Sequence, residues 1–565
     1  MSSQLSPKST FFGGATILAA GIAIVKIIGM LYKIPLVSII GDSGYADFSN
    51  AYNIYSVLLT ISTAGLPVAL SKMVSEANTM GRRDQIHKVF HVALCAFLVL
   101  GLISFLIMYF GAAHLADLMG DSMAADSIRV LSPAVVCVGC LAAFRGYAQG
   151  HGNMAPTAIS QVIEALCKLI LGLALAIYLM QLGRPEHEGA AGAIVGVTVG
   201  TILALAFMVV NFALQRRREP VCVDHRTDSA GSILRTLLTI AIPITLTSSM
   251  VGIVTVIDSA LVQSQLQKAL LTNQDSWALY RDFIDFAPLT AALAGGADSA
   301  AAQAAAEEIS RALYGNYAGT ITIYNLPSSL MVAITASVIP AISAALARRS
   351  RKSARRIAAA SLRMCALVAL PAGVGLFVLG EPIIRLLFSD LEPQLAGALL
   401  STLGLASIFV CIMMVCNSIL QAYGFINLPV VVMLLGGVVK IVVNYNLVVT
   451  PQVGIYGAPL GNILCFGLVC VLDLIIVRRV IPGFPGLISL FGKALLSAAL
   501  MGGAVWGCYG LTARFLDSNT VCTLFSILVG GAVYLALVVL LRAITRDELA
   551  LMPKGEKIAR LLRLD

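Results

Sequence analysis

Charged residues are scarce in this sequence, at 12% of 565 residues, about half the share of a soluble globular chain. A chain this long with so little charge cannot cover itself in water, which excludes a soluble enzyme of several domains. Polar stretches long enough for a soluble domain are also missing. Apolar runs recur from one end to the other, which excludes a protein held by a single anchor. Neither G-x-x-x-x-G-K-[ST] nor H-E-x-x-H occurs, and there is no paired-carboxylate site on a soluble domain, so no enzyme activity is expected. Of twelve cysteines only Cys222 stands in a charged loop, so no disulfide framework is expected. Cys137 and Cys140 form a C-x-x-C inside an apolar helix, where small residues at a helix contact are the plainer reading. The six histidines (His87, His91, His114, His151, His187, His225) stand at helix ends or in loops, which suits interfacial solvation and implies no metal.

What is present is hydrophobic: 58% of residues, with a mean hydropathy of +0.90. At about 20 apolar residues per crossing, the runs predict fourteen helices. They fall near 11–40, 48–76, 87–113, 126–148, 157–180, 189–214, 232–263, 313–346, 357–380, 396–422, 427–449, 454–480, 489–513 and 519–542. The fold class is an all-α polytopic membrane protein.

The loops alternate in charge. One set reads GRRDQIHK (81–88), QRRREPVCVDHR (215–226), RRSRKSARR (348–356) and RRVIPGFPG (478–486), with the tail from Arg542. The other reads GDSGYAD (41–47), ADLMGDSMAAD (116–126), GRPEHEG (183–189), the long segment 265–310 and SDLEPQ (389–394). About 26 of the 38 Lys and Arg fall on the first side, 7 on the second and 5 inside spans. Basic loops stay in the cytoplasm, so both termini are expected there. The net charge of +9 then reads as topology and contact with anionic lipid, not as nucleic-acid binding. The start, MSSQLSPKSTFFGG, reads as a retained first span and not a cleaved signal peptide. Residues 265–310 are expected to form an external loop with a surface helix. The tail 546–565 suits an interfacial helix on the cytoplasmic leaflet or a solvated tail.

An internal repeat organises the spans. YNIYSVLLTISTAGLPVALS, with Tyr52, Asn53, Pro67 and Ser71, is echoed by YNLPSSLMVAITASVIPAIS, with Tyr324, Asn325, Pro340 and Ser343. The offsets are 272 or 273 throughout. The turn RGYAQGHGNMAP (145–156) is echoed by LQAYGFINLP (420–429), and a lysine follows each, Lys168 and Lys440. This predicts two parallel six-helix lobes around a central cavity. The N-terminal lobe covers 1–228 and the C-terminal lobe 229–480; a final pair of helices (481–545) and the tail follow.

A charge near the bilayer centre costs roughly 2.5–3.5 kcal/mol on insertion scales, so intramembrane charges mark sites. The candidates are Lys26, Lys33, Lys72, Glu76, Glu164, Lys168, Asp258, Lys440 and Asp473. Lys26 and Lys33, seven apart, share a helix face. Lys72 with Glu76, and Glu164 with Lys168, have the i, i+4 spacing of local ion pairs. Asp473 precedes Arg478 and Arg479 at a cytoplasmic end, which favours a structural role. Asp258 has no adjacent cation and reads equally as a partner for a cavity lysine or as a substrate or ion site. Five lysines against four acids suit a polyanionic substrate such as a diphosphate. Gly29, Pro35, Pro67, Pro327 and Pro340 interrupt core helices, where bending would serve alternating access.

The stretches GMLYKIPLVSIIGDSGYADFSNAYNIY, LLTISTAGLPVALSKMVSE, FRGYAQGHGNMAPTAISQVIEALCKL and ALYGNYAG with YNLPSSLMVAITASVIPAIS resemble the polysaccharide-export and lipid-flippase branch of the MATE-like superfamily. Within it they are most similar to the stage V sporulation protein B and Gram-positive lipid II flippase group. The resemblance implies two lobes of fourteen helices and the movement of undecaprenyl-diphosphate-linked peptidoglycan precursor from inner to outer leaflet. It implies diphosphate binding by basic residues of the first helix, at the positions of Lys26 and Lys33, and an acidic residue at Asp42 or Asp47. The basic residues such flippases carry on the second and eighth helices have no match; the eighth offers polar Asn325, Ser328 and Ser329.

The expectation is therefore a flippase for lipid II or a related lipid-linked oligosaccharide in a bacterial plasma membrane. Its site candidates are Lys26, Lys33, Asn53, Glu164, Lys168, Asp258, Asn325 and Lys440. No cofactor is expected, and energy would come from a Na+ or H+ gradient, the membrane potential or substrate supply. Partners would be the lipid-linked substrate, membrane lipids and cell-wall synthesis enzymes. One alternative is a cation-coupled multidrug exporter of the MATE type using Asp258 and Glu164; another is a non-transporting scaffold for wall synthesis.

Overall fold

The computed structural model describes residues 7–541 except 64, 217–225, 295, 298 and 426; the interfacial tail helix and most of the basic loop 215–226 lie outside the described residues. No strand occurs among them. Twelve described segments are long and apolar enough to cross a bilayer. One, Ile24–Thr79, carries both of the first two predicted spans. The predicted eighth span lies in the helix Ala300–Ala347, which accounts for the expected total of about fourteen. The chain is a multi-pass membrane protein. The predicted external segment is shorter than the sequence suggested, because the flanking helices Ala230–Thr272 and Ala300–Ala347 run into it. Between them lie a short 3-10 turn, Gln274–Leu279, and a short helix, Ala287–Leu293.

The predicted loop 41–47 is in fact a single-residue kink. Helix Pro7–Thr63 is continuous except at Gly41, whose φ of 72° lies in the left-handed region, where glycine has no side-chain penalty. Sixteen residues of straight helix would span roughly 24 Å, yet the rings of Tyr32 and Phe48 are 5.9 Å apart. The chain therefore folds back on itself at Gly41. Glu186, at the start of Glu186–Arg216, holds the reversal by accepting a hydrogen bond from the Gly44 amide at 3.1 Å.

Two compact units emerge. The first is Met1–Thr272 with Asp285–Gly315, and the second is Asn273–Ile284 with Asn316–Asp565. Compactness thus draws its line elsewhere than the repeat does, and the repeat-based halves remain a proposal about sequence kinship. In the first unit Phe90 anchors an aromatic cluster, 5.3 Å from Phe144, 5.2 Å from Tyr147 and 4.6 Å from Phe212. The core of the second unit is built on small residues: Ala354, Ala358, Cys365, Ala369, Cys411 and Cys416 are all fully buried. Small side chains let helix backbones approach in a membrane, where packing replaces hydrophobic drive. Both turns of the second repeat motif close alike, on a left-handed glycine (Gly152, Gly424) and a proline in the first turn of the next helix.

Pro67 starts a helix, Leu66–Thr79, after a break at Gly65. A β-carbon on Gly65 would overlap the Ala241 carbonyl and the Thr245 hydroxyl of Ala230–Thr272. Gly65→Val is expected to lose about 1–3 kcal/mol through this overpacking, read as a lower thermal midpoint of the purified chain.

Candidate functional site

The fold-back at Gly41 brings two stretches of one helix face to face, and a third helix completes the site. Ala155–Cys167 runs into a π-helical turn, Lys168–Gly172, a local widening often found at functional positions. The turn presents Lys168, whose Nζ stands 4.9 Å from the ring centre of Tyr32 and 4.5 Å from that of Tyr52. It donates to the Tyr52 hydroxyl at 3.4 Å. Lys33 Nζ lies over the same Tyr52 ring at 5.5 Å. Tyr32 is fixed from behind by donating to the Ala193 carbonyl at 3.1 Å. Each cation–π contact contributes about 0.5–2 kcal/mol, more where water is excluded. Lys33 and Lys168 thus meet at the Tyr52 ring, and Lys26, exposed on the same helix as Tyr52, and Glu164 also act on it electrostatically.

The expected i, i+4 pair between Glu164 and Lys168 is not what holds the glutamate. Glu164 Oε2 pairs with Arg145 at 3.3 Å, and Arg145, buried, also donates to Ser160 Oγ at 2.9 Å. Arg145 hid in the sequence because its motif, RGYAQG, begins a turn and was counted with the cytoplasmic loops. Its presence changes the balance of the site. One carboxylate is taken by one guanidinium, and Lys26, Lys33 and Lys168 form no ion pair among the described residues. The result is an electropositive, tyrosine-lined site with three lysines in excess. The other expected pair is present, with Lys72 Nζ 3.9 Å from Glu76.

Asn53 and Asp258 belong to a second cluster in the same unit. Asn53 Nδ2 donates to Ser259 Oγ at 2.9 Å, and Tyr314 donates to the same oxygen at 2.7 Å. Asp258 is buried next to Ser259 and acts electrostatically on Tyr314. Beyond it lies a buried ionic network. Arg311 grips Asp47 with both arms, Nε to Oδ1 at 2.9 Å and Nη2 to Oδ2 at 2.6 Å, and its Nε is 3.2 Å from Asp121. Asn50 donates to Asp121 at 2.8 Å. Asp47, read from the family resemblance as a functional acid, is thus part of this network. Asp121 and Arg311 were invisible as partners in the sequence, one in a loop and one at the edge of an Ala-rich segment.

In the second unit, Lys440 is buried on Leu428–Leu447, a helix without the π turn that carries Lys168. Asn325 is exposed, and its carbonyl accepts from Ser328 and Ser329 at 2.9 and 2.8 Å. Among the bending candidates, Gly29 meets open space, Pro35 lies exposed inside its helix and Pro327 is buried in Ala300–Ala347. Pro340 belongs to the same helix, and its side chain lies outside the described residues. No group of His, Cys, Asp or Glu among the described residues could hold a metal.

Comparison with known proteins bears on this arrangement. A family model described as polysaccharide biosynthesis protein matches residues 12–346, and one described as lipid II flippase MurJ matches residues 301–529. The chain is 27% identical over 554 residues to the uncharacterized membrane protein YabM of Bacillus subtilis (strain 168), covering 97% of this chain and 96% of that one. It is 26% identical to the lipid II flippase MurJ of the same organism, covering 93% and 94%. To stage V sporulation protein B it is 24% identical, covering 97% and 98%. Among solved structures, lipid II flippase MurJ in an inward closed conformation aligns with a TM-score of 0.67 at 16% identity, over 93% of this chain and 98% of that one. An inward-facing MATE multidrug resistance transporter aligns with a TM-score of 0.61 at 15% identity, over 81% and 98%. Both likenesses are of fold.

Proposed function

The chain belongs to the polysaccharide biosynthesis protein family, and we propose that it is a flippase that carries lipid II, or a related lipid-linked oligosaccharide, across the membrane by alternating access. The observation that carries this reading is the unneutralised lysine site on Tyr32 and Tyr52. A diphosphate brings the negative charge that the site lacks, and charge-assisted bonds from lysine are the strong kind. The polyprenyl tail needs no site of its own, since it stays in the bilayer while the head group crosses. Lys440 and Asn325 are the matching positions of the second half and contact the substrate in the opposite state. Bending at Pro35, Pro67, Pro327 and Pro340 accompanies the exchange. The chain does no covalent chemistry on this account; it lowers the barrier to moving a polar head group through hydrocarbon.

The relative described as a lipid II flippase, matched over nearly its whole length, supports the substrate class. The charge asymmetry of the loops supports a topology with both termini in the cytoplasm of a bacterial plasma membrane, and on this reading wall-synthesis enzymes supply and consume the substrate. A MATE-type exporter of cationic drugs shares the fold, but it would need a surplus of carboxylate where this site has a surplus of lysine.

Rescue of a strain depleted of its own lipid II flippase tests the reading. The wild-type chain is expected to restore growth, and the double variant Lys26→Ala, Lys33→Ala to fail while accumulating normally in the membrane. Growth supported equally by that variant would remove the diphosphate role from these lysines.

A further inference from the structure

The core of the second unit contains one group that nothing above uses. Asp473 stands on Gly457–Val480, is 0% exposed, and neither of its carboxylate oxygens has a hydrogen-bond partner among the described residues. Arg478 and Arg479, on which its structural reading depended, form no ion pair with it. Its titratable neighbours are thiols: Cys470 one turn back, Cys416 from Pro393–Ala422, and behind them Cys365 from Arg351–Val378. Leu474, Val477 and Ile419 fill the same core. Leu428–Leu447 packs on the other side and carries Lys440 and Tyr445. Counted from the turn joining these antiparallel helices, Lys440 lies roughly 13 Å short of Asp473 along the axis.

An ionised carboxylate in such a seat would be an isolated buried charge, costing several kcal/mol after relaxation. A buried polar group left without partners calls for an explanation, and there are two ways to remove the charge. A hard metal cation requires several oxygen ligands, whereas the titratable groups beside Asp473 are thiols, set among aliphatic side chains. A proton requires none. Asp473 also lies five residues before Arg478, roughly 8 Å of helix from that end of the span, within reach of water through a small opening of the helix contact.

We propose that Asp473 is a proton-binding site of the second unit, loaded when the helices around it are closed and unloaded when their contact opens to water. One proton binds the carboxylate from the aqueous phase and returns to it, and no other reactant takes part. As a proton site it stands alone; as the coupling site of transport it rests on the flippase reading.

Infrared spectroscopy of the full chain in liposomes tests the site without any substrate. The wild type is expected to show the carbonyl band of a carboxylic acid free of hydrogen bonds, lost in Asp473→Asn and in Asp473→Leu. Both variants are expected to fold, because each replaces one neutral side chain by another. Spectra identical in wild type and variants would overturn the proposal, as would a band that disappears when choline is replaced by sodium. Proton movement accompanying lipid II translocation, followed with a pH dye inside the liposomes, tests the coupling. It is expected to be lost in Asp473→Asn, and its persistence there would overturn the coupling role. A chain that moves no lipid II yet shows the band would contradict the flippase reading alone.

Discussion

Replacing Lys168 with methionine is expected to weaken binding of a lipid diphosphate by roughly 10- to 150-fold. That range corresponds to losing one hydrogen bond between charged groups, about 1.5–3 kcal/mol. Methionine keeps the unbranched shape and removes only the charge. Lys168 has two tyrosine rings and one phenol oxygen as neighbours, and the nearby Glu164 is ion-paired to Arg145, so the fold gives up little when the ammonium goes. The thermal midpoint of Lys168→Met is therefore expected to stay level or rise, while affinity for the diphosphate falls. A loss of stability with no change in affinity would make Lys168 a structural cation. Glu164→Gln should do the reverse, leaving Arg145 buried beside a neutral amide and lowering stability more than affinity. Binding titrations with a short-chain prenyl diphosphate and melting curves on the same samples separate the two.

The second large effect is structural. Arg311→Ala is expected to destabilise the first unit by about 3–5 kcal/mol, the usual result of removing one partner from a buried ion pair. Asp47 and Asp121 are both 0% exposed, and without the guanidinium they would face each other as uncompensated like charges. Arg311→Lys should recover only part of the loss, because an ammonium cannot reproduce the two-armed grip on Asp47. Arg311→Gln combined with Asp47→Asn should recover more than either change alone, since it removes charge of both signs. Equilibrium unfolding of Arg311→Gln, Asp47→Asn and the double variant measures this coupling, and strictly additive effects would contradict a shared network.

Much of the fold was legible in the sequence because membrane spans declare themselves by composition. The runs around 126–148, 396–422 and 454–480 reappear within a few residues as Ala124–Gly150, Pro393–Ala422 and Gly454–Val480. The reversal at Gly41 was harder to see, since GDSGYAD has the composition of a loop while a single left-handed glycine does the turning. The lysines of the site were legible for the same reason as the spans, being charges where charge is expensive. Their carboxylate balance was not. Spacing alone assigned Glu164 to Lys168, whereas Arg145 reaches it from another helix, nineteen residues earlier in the chain. Asp47 and Arg311 are separated by 264 residues, a distance over which no local pattern can pair them. The sequence neighbourhood of Asp473 misled in a related way. Two nearby arginines in the sequence suggested a partner, but helix geometry points residues five and six apart in different directions.

On the proposed function, a lysine-rich, tyrosine-lined site moves a lipid diphosphate across the bilayer. Translocation of fluorescent lipid II in liposomes containing only the purified chain tests it most directly. Wild-type protein is expected to expose labelled lipid to an external quencher far faster than empty liposomes do, and combined replacement of Lys26, Lys33 and Lys168 by alanine to return the rate to that background. A triple variant that translocates lipid II at the wild-type rate, or a wild-type chain that leaves lipid II in place while exporting a cationic dye, would contradict it.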